Sequence, residues 1–439
     1  MQAKTPLTDD ERADKRAAEQ QLAADAVEQL RSIERELPKG LAPAGRVSSE
    51  LPDIGRAAHV IEPFPRRLAI AGARQDEVIR ATTSLAPSDV RERADVLIAK
   101  LATLGMPCDL ERVVEGPQVT RYELRPTNGA LMREILRTAD DLAFALGAYP
   151  ARVLAPLPDH AGLIAVELPC AERRIIRLDE LPPPREPLSF PLGFDVDGEP
   201  AFCDLTLCPH LLICGETNSG KSSAVNAMLC SFLTRFGPDH LSLVLIDLKQ
   251  VELRPYAWLP HLLAPVGADI DTALACLRSL VKMMELRYDV AAQMGARSLP
   301  ELNVKLEAAG HKRYPFVLCV VDELADLMMS SKTASESLIV RLAQKARAVG
   351  IHLVLATQSP RVAVCSGLIR ANIPSRVCFA VSSQTDSRVV LGRNGAELLL
   401  GCGDGLLSMG GARCVRFQGA YATSDEIEAT CNRWRGQAA

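Results

Sequence analysis

Residues Gly215, Glu216, Thr217, Asn218, Ser219, Gly220, Lys221 and Ser222, with Ser223 behind them, fit the pattern G-x-x-x-x-G-K-[ST] in full. The glycines let a short loop turn and bring backbone N–H groups against phosphate oxygens. A lysine in this place reaches the β and γ oxygens of a nucleotide, and the hydroxyl after it ligates magnesium. The alternative is a glycine turn that does no more than cap a helix. The context argues against it, because the pattern lies between an apolar strand candidate, Leu211–Cys214, and a helix over 221–235.

Such a loop needs a carboxylate at the end of a neighbouring strand to hold magnesium, and a group that polarises the attacking water. The run Phe316-Val-Leu-Cys-Val-Val leads directly to Asp322 and Glu323 and supplies both. An exposed acidic pair at a strand end is the plain alternative, weakened by the phosphate loop elsewhere in the chain. Asp247 also ends a strand, in LVLIDLK, but has no adjacent glutamate and is the lesser candidate. A further strand, HLVLATQ, ends in Thr357 and Gln358, where an amide could sense the γ-phosphate or merely cap the loop.

Around these residues, apolar strand candidates at Leu211–Cys214, Ser242–Ile246, Phe316–Val321, His352–Ala356 and Arg376–Val381 alternate with helices at 221–235, 270–294 and 335–349. Near-continuous apolar strands separated by helices imply a parallel sheet covered on both faces, an α/β fold that carries the P-loop. This unit is expected over 188–435, after the proline cluster LPPPREP. Before it, 87–178 reads as a small α/β domain. It has a helix after Ser88, strands at Gln118–Leu124, Arg152–Leu154 and Leu163–Leu168, and a helix over Met132–Leu146. Residues 1–65 read as a charged helical leader and linker.

Composition sets limits. A chain of 439 residues, 48% hydrophobic and 24% charged, is ordinary globular usage. It contains no apolar run of membrane-spanning length and no signal core, which points to the cytoplasm and to no direct membrane anchor. A net charge of −4 gives no bulk attraction to nucleic acid. Lys332–Arg416 nevertheless holds eleven Lys or Arg against four Asp or Glu, so a basic channel is compatible with an acidic exterior. Cys203, Cys208 and His210 invite a zinc reading, but no second pair lies at ligand spacing, and buried reduced thiols are expected among the 13 cysteines.

Longer stretches carry a resemblance. GPQVTRYELRP (116–126), PHLLICGETNSGKSSAVNAML (209–229), PHLL (260–263), VVDELADLMM (320–329), LIVRLAQKARAVGIHLVLATQ (338–358), GLIRANIPSRVCFAVSS (367–383), DSR (386–388) and GAELLLGCGDGLL (395–407) resemble the FtsK/SpoIIIE family of DNA translocases. The resemblance implies a small α domain before a RecA-like motor domain that takes ATP and Mg2+. It further implies six motors in a ring pumping double-stranded DNA. By the same resemblance Arg347 is an arginine finger acting in trans, Arg370 and Arg388 are basic positions near pore or interface, and Arg297, Asn303 and Lys305 belong to a first pore loop.

Three positions depart from the family pattern: Ser359 stands where an arginine is usual, Gln384 where a lysine is, and Leu248 where a proline is. Arg361, two residues beyond Ser359, is a candidate replacement DNA contact. The chain shows neither an N-terminal membrane module nor a winged helix after Trp434, so a free-standing motor is expected rather than a septal one. A protein-export ATPase of the type VII secretion kind is the alternative function. Those relatives usually carry membrane helices and tandem modules and lack the TRYELRP domain.

Overall fold

The computed structural model describes residues 90–435, apart from 128–131, 158–159, 161, 171–172 and 411–413. The leader over 1–65 and the capping residue Ser88 lie outside the described residues.

Helix α1 (Val90–Thr103) buries Ala94, Leu97 and Leu101, the apolar positions that recur at helical spacing. It packs on an antiparallel sheet in the order β1 (Cys108–Glu115), β2 (Val119–Pro126), β4 (Ile164–Pro169), β3 (Arg152–Leu154). Strand β1 was not legible, because most of its residues are exposed and polar. The expected helix over 132–146 is in fact two, α2 (Met132–Arg137) and α3 (Ala139–Leu146). They part at Thr138, whose hydroxyl donates to the Ile135 carbonyl at 2.8 Å and so competes with the helix ladder.

The larger sheet has ten strands. Its centre is the expected parallel set, in the order β12 (Ser375–Phe379), β8 (His210–Cys214), β11 (Ile351–Thr357), β10 (Phe316–Val321), β9 (Leu241–Ile246). Alternate residues of these strands feed two cores. Leu212, Val244 and Leu353 face helices α5 (Ile270–Gln293), α6 (Leu299–Ala308) and α7 (Leu324–Lys345). Leu211, Leu243 and Val354 face α4 (Lys221–Arg235). Burial on both faces explains why each strand reads as an unbroken apolar run.

Two features differ from expectation. The sheet is mixed rather than wholly parallel. Beyond β12 it continues antiparallel through β13 (Asp404–Met409), β14 (Cys414–Tyr421), β6 (Ser189–Asp195) and β7 (Pro200–Asp204), while β5 (Ile176–Arg177) pairs with β14. Strands β13 and β14 bury Asp404, Ser408, Arg416 and Gln418, so they lack the apolar signature. Helix α7 also holds an extra stretch before the expected residue 335, which the Glu323 carboxylate caps by accepting the Ala325 N–H at 3.3 Å and which a kink at Ser331 (φ −149°) separates from the rest.

Strands β8 and β11 are tied together at their starting ends by two buried histidines. His352 Nδ1 donates to the Pro209 carbonyl at 2.9 Å, and His210 Nδ1 accepts the Leu353 N–H at 3.1 Å. Burial pushes His210 down to about 3 and His352 down to about 4, so both are neutral in the fold. An unfolded chain takes up these protons near the ordinary value of about 6.5. Stability from this source is therefore complete above about pH 6.5 and is lost as the pH falls towards 4. Each histidine contributes a slope of about 1 kcal/mol per pH unit in that window. Replacing His352 with Gln is expected to flatten the pH dependence of urea unfolding between pH 6 and 4.5 by that amount. An unaltered slope would show that His352 is not held neutral.

Candidate nucleotide site

Strand β8 ends at Cys214, and the chain turns at once into the loop. Gly215 donates to the Thr357 carbonyl at 3.2 Å and Glu216 to that of Ala380 at 3.0 Å, which moors the loop across the carboxyl ends of β11 and β12. Two glycines are required by contact. A Cβ on Gly215 would lie 2.4 Å from Ser219 Oγ, and one on Gly220 (φ +118°) would lie 2.6 Å from the Gly403 Cα. Asn218 takes the left-handed conformation (φ 63°), and α4 begins at Lys221.

Lys221 and Asp322 meet in the interior. The ammonium lies 2.9 Å from Asp322 Oδ1 and 3.0 Å from the Asp322 carbonyl, with the two residues 3% and 2% exposed. Burial raises the Asp322 carboxyl, Lys221 pulls it back down, and Asp247 and Glu252 push it up again. Glu323, next in the chain, is fixed by donors from β11: the Thr357 hydroxyl at 2.6 Å and the Gln358 N–H at 3.2 Å. The Gln358 side chain in turn accepts the Thr217 hydroxyl at 3.0 Å, so the loop and the strand end share a bond. The phosphate loop, the acidic pair and Gln358 are thus brought together.

Two residues that the sequence reading did not single out join them. Glu252 accepts the Ser222 hydroxyl at 2.9 Å, and Lys249 lies 3.6 Å from Glu323 and 3.5 Å from Asp326. Both sit in the loop after β9. Asp247 builds that loop by accepting the N–H groups of Lys249, Val251 and Leu253 at 2.9–3.1 Å. The Asp247 carboxylate is thereby occupied with backbone, which accounts for its lesser standing. The only signal in the sequence was spacing, a carboxylate five residues past a buried strand-end aspartate. As hard oxygen donors, the Ser222 hydroxyl with Asp322 and Glu252 nearby suit magnesium.

The remaining candidates are scattered. Arg347 is exposed on a turn just before β11, at the opposite end of that strand from Thr357, and donates to the Thr206 carbonyl at 2.8 Å. Asn303 corrects the pore-loop expectation. It is 4% exposed and both its amide atoms bind the Tyr314 backbone, at 2.8 and 2.9 Å. The stretch around it is helix α6, capped by Ser298, rather than a loop. Lys305 donates to the Met294 and Gly295 carbonyls at the end of α5, at 2.8 and 2.7 Å. Arg370 is half-buried and donates to the Val389 carbonyl at 3.3 Å. Arg297, Arg361 and Arg388 are exposed, the last bonded to Asn394 at 2.7 Å. Cys203 and Cys208 are buried free thiols.

Residues 179–362 match the FtsK/SpoIIIE family and residues 76–170 the FtsK alpha domain. The DNA translocase FtsK of Streptococcus pneumoniae is 43% identical over 361 residues, which is 80% of this chain and 47% of that one. The chain belongs to the FtsK/SpoIIIE family. The DNA translocase FtsK of Mycobacterium tuberculosis, strain H37Rv, is also 43% identical, over 74% of this chain and 41% of its own length. The chain therefore spans about half the length of these FtsK/SpoIIIE relatives. In fold it is similar to the monomer form of the pCW3 conjugation coupling protein TcpA with ATPγS, with a TM-score of 0.55 and 21% identity over 78% of this chain and 99% of that one. It is similar as well to the cytoplasmic domain of the type VII secretion ATPase EccC of Thermomonospora curvata, with a TM-score of 0.50 and 24% identity over 59% of this chain and 32% of that one. The expectation of an α/β P-loop ATPase core is met. Among the described residues no helix is long and apolar enough to cross a membrane.

Glu252 supplies the test of this geometry. Its carboxylate accepts the hydrogen bond of the Ser222 hydroxyl and leaves that oxygen's lone pairs free for a cation, as outer carboxylates do around metal ligands. Glu252→Ala is expected to weaken nucleotide binding about tenfold in magnesium, within the range for loss of an outer partner, and not to weaken it in EDTA. Equal affinities in magnesium would remove Glu252 from the site.

Proposed function

We propose that this chain is an ATP-driven translocase of double-stranded DNA that works in the cytoplasm as a six-membered homo-oligomeric ring. On this reading 87–178 is an accessory α domain and 188–435 the motor. The observation that carries it is the joining of Lys221, Asp322, Glu323 and Gln358 at one sheet edge, in a chain of this family.

The residues divide the work as follows. Gly215 and Glu216 moor the loop through their N–H groups, those of the loop beyond them, on to Ser223, cradle the phosphates, and Lys221 leaves Asp322 for the β and γ oxygens. Magnesium, when bound through Ser222 and Asp322, neutralises charge developing on the phosphates. Glu323, aimed by the Thr357 hydroxyl and Gln358 N–H, accepts the proton of the attacking water. The Gln358 amide, bonded to Thr217, reports loss of the γ-phosphate to the strand end.

Arg347 supports an assembled state. A seven-residue strand, about 23 Å long, separates it from its own Thr357, so it serves a neighbour's nucleotide rather than its own. A charge supplied in trans makes hydrolysis depend on assembly. On the DNA side the exposed guanidiniums of Arg297, Arg361 and Arg388 remain candidates. Asn303 does not, and Lys305 and Arg370 are partly committed to backbone carbonyls. Phosphate contacts suit a motor because they carry no sequence information and can be remade at each step.

ATP hydrolysis measured with and without linear duplex is the first test, and stimulation by duplex is expected. Lys221→Ala should abolish nucleotide binding, whereas Glu323→Gln should bind ATP and turn it over at least a hundredfold more slowly, the scale of general-base loss. Mixing Arg347→Ala with Glu323→Gln subunits should restore activity, since a site can then combine one subunit's carboxylate with another's guanidinium. A mixture no more active than the sum of its parts would dismiss Arg347 as a finger in trans.

The DNA contacts are separable from the chemistry. Arg361→Ala should weaken binding equally on unrelated duplexes and reduce the log–log salt slope by about 0.9, one phosphate contact. ATP affinity should be unchanged. An unaltered slope would make Arg361 a solvated loop charge.

A further inference from the structure

The phosphate loop is held from behind. Its carbonyls at Asn218 and Ser219 accept the N–H groups of Cys402 at 3.2 Å and Gly403 at 2.8 Å. Three successive left-handed residues, Gly401 (φ 73°), Cys402 (φ 49°) and Gly403 (φ 93°), press this second loop against the first. Asp404 keeps the turn closed. Its Oδ2 accepts the Leu400 N–H at 2.8 Å, and its own N–H donates to Gly401 at 3.0 Å.

Asp404 is gripped in its turn. Arg416 of β14 forks onto both of its oxygens, at 2.9 and 2.6 Å. The remaining arm of the same guanidinium reaches out of the large sheet to Glu167 Oε2 on β4 of the small one, at 2.6 Å. Glu167 is itself pinned between its cross-strand neighbours Arg121 and Arg152, at 3.1 and 3.3 Å. Glu167, Asp404 and Arg416 are 1%, 1% and 6% exposed. Burial alone would raise the Glu167 carboxyl, yet Arg416, Arg152 and Arg121 hold it down at about 2.

We infer that Glu167, Arg416 and Asp404 are positioning residues that fix the conformation of the phosphate loop from the small sheet, and so couple that sheet's placement to nucleotide affinity. The chain of contacts has little slack. Drawing Glu167 away would strip a buried guanidinium of a partner, a strongly unfavourable change unless Arg416 follows. If Arg416 follows, Asp404 and its turn move, and the donors that satisfy the Asn218 and Ser219 carbonyls move with them. Those carbonyls must point away from the ligand for the N–H groups to point towards it. Linkage makes the effect reciprocal, so nucleotide binding must also tighten the hold on the small sheet. The inference rests on the nucleotide reading proposed above.

The full chain titrated with a fluorescent ADP analogue in magnesium separates the two. Glu167→Gln keeps the side chain's shape and touches no part of the loop; it is expected to weaken binding about tenfold, within the usual span of coupling between sites. Leu124→Ala opens the buried core of the same small sheet without touching the relay, and should bind as the unaltered chain does. Members of one relay fail together, so Glu167→Gln combined with Asp404→Asn should bind no more weakly than Asp404→Asn alone. Normal binding by Glu167→Gln would overturn the inference, as would losses that multiply in the double variant or an equal loss in Leu124→Ala. If the unaltered chain fails to bind the analogue, the nucleotide reading falls first and the relay with it.

Discussion

A loop that aims its backbone N–H groups at phosphate must aim its carbonyls the other way, into protein, where each needs a donor. Most of the architecture around Gly215–Ser222 answers that demand. Strands β11 and β12 accept the N–H groups of Gly215 and Glu216 as the loop leaves β8, and the 401–403 turn supplies donors to Asn218 and Ser219. Gly220 is glycine because the Gly403 backbone touches it, so that any side chain would sit inside the facing chain, and a Cβ on Gly403 (φ +93°) would lie 2.8 Å from Gln418 Nε2. The antiparallel half of the sheet thus has a purpose beyond extending the core. It brings β13 and β14 round so that the 401–403 turn leading into β13 lies behind the phosphate loop.

This explains what was legible in the sequence and what was not. The five parallel strands were plain because both faces of each are buried, which confines polar residues such as His210, Ser242, His352 and Arg376 to the strand starts. The phosphate loop, Asp322 and Glu323 were plain because their residue types are dictated by chemistry at fixed spacing. Strands β13 and β14 were hidden because they bury charge: Asp404, Arg416 and Gln418 look like surface residues until their partners, one of them 249 positions away, are seen. Pairing over such separations leaves no trace in local periodicity.

Two misreadings share a cause. The stretch ARSLPELNVK was given to a pore loop by resemblance alone, whereas Ser298 caps a helix there and proline is tolerated in its first turn. Asn303, placed in that loop by the same resemblance, instead replaces backbone partners for Tyr314. Glu252 and Lys249 escaped notice for a different reason. They lie in a segment with no period at all, whose shape comes from the Asp247 carboxylate gathering three N–H groups from the chain after it. A side chain acting on its own backbone is invisible to pattern and obvious in coordinates.

The pairing of Lys221 with Asp322 bears on how such a site can fill at all. Both charges are almost wholly buried, and either one alone in that place would be costly. Each satisfies the other, and the Asp322 carboxyl is still raised because burial outweighs the pull of Lys221. Phosphate and magnesium arrive together with opposite charges, so the lysine can turn to one and the aspartate to the other. Neither charge is then stranded at any intermediate position. Nucleotide without its cation would satisfy Lys221 and abandon Asp322 among Asp247 and Glu252, three carboxylates with no counter-charge in common. On the function proposed above, the same carboxylates that would hold magnesium therefore disfavour nucleotide that comes without it.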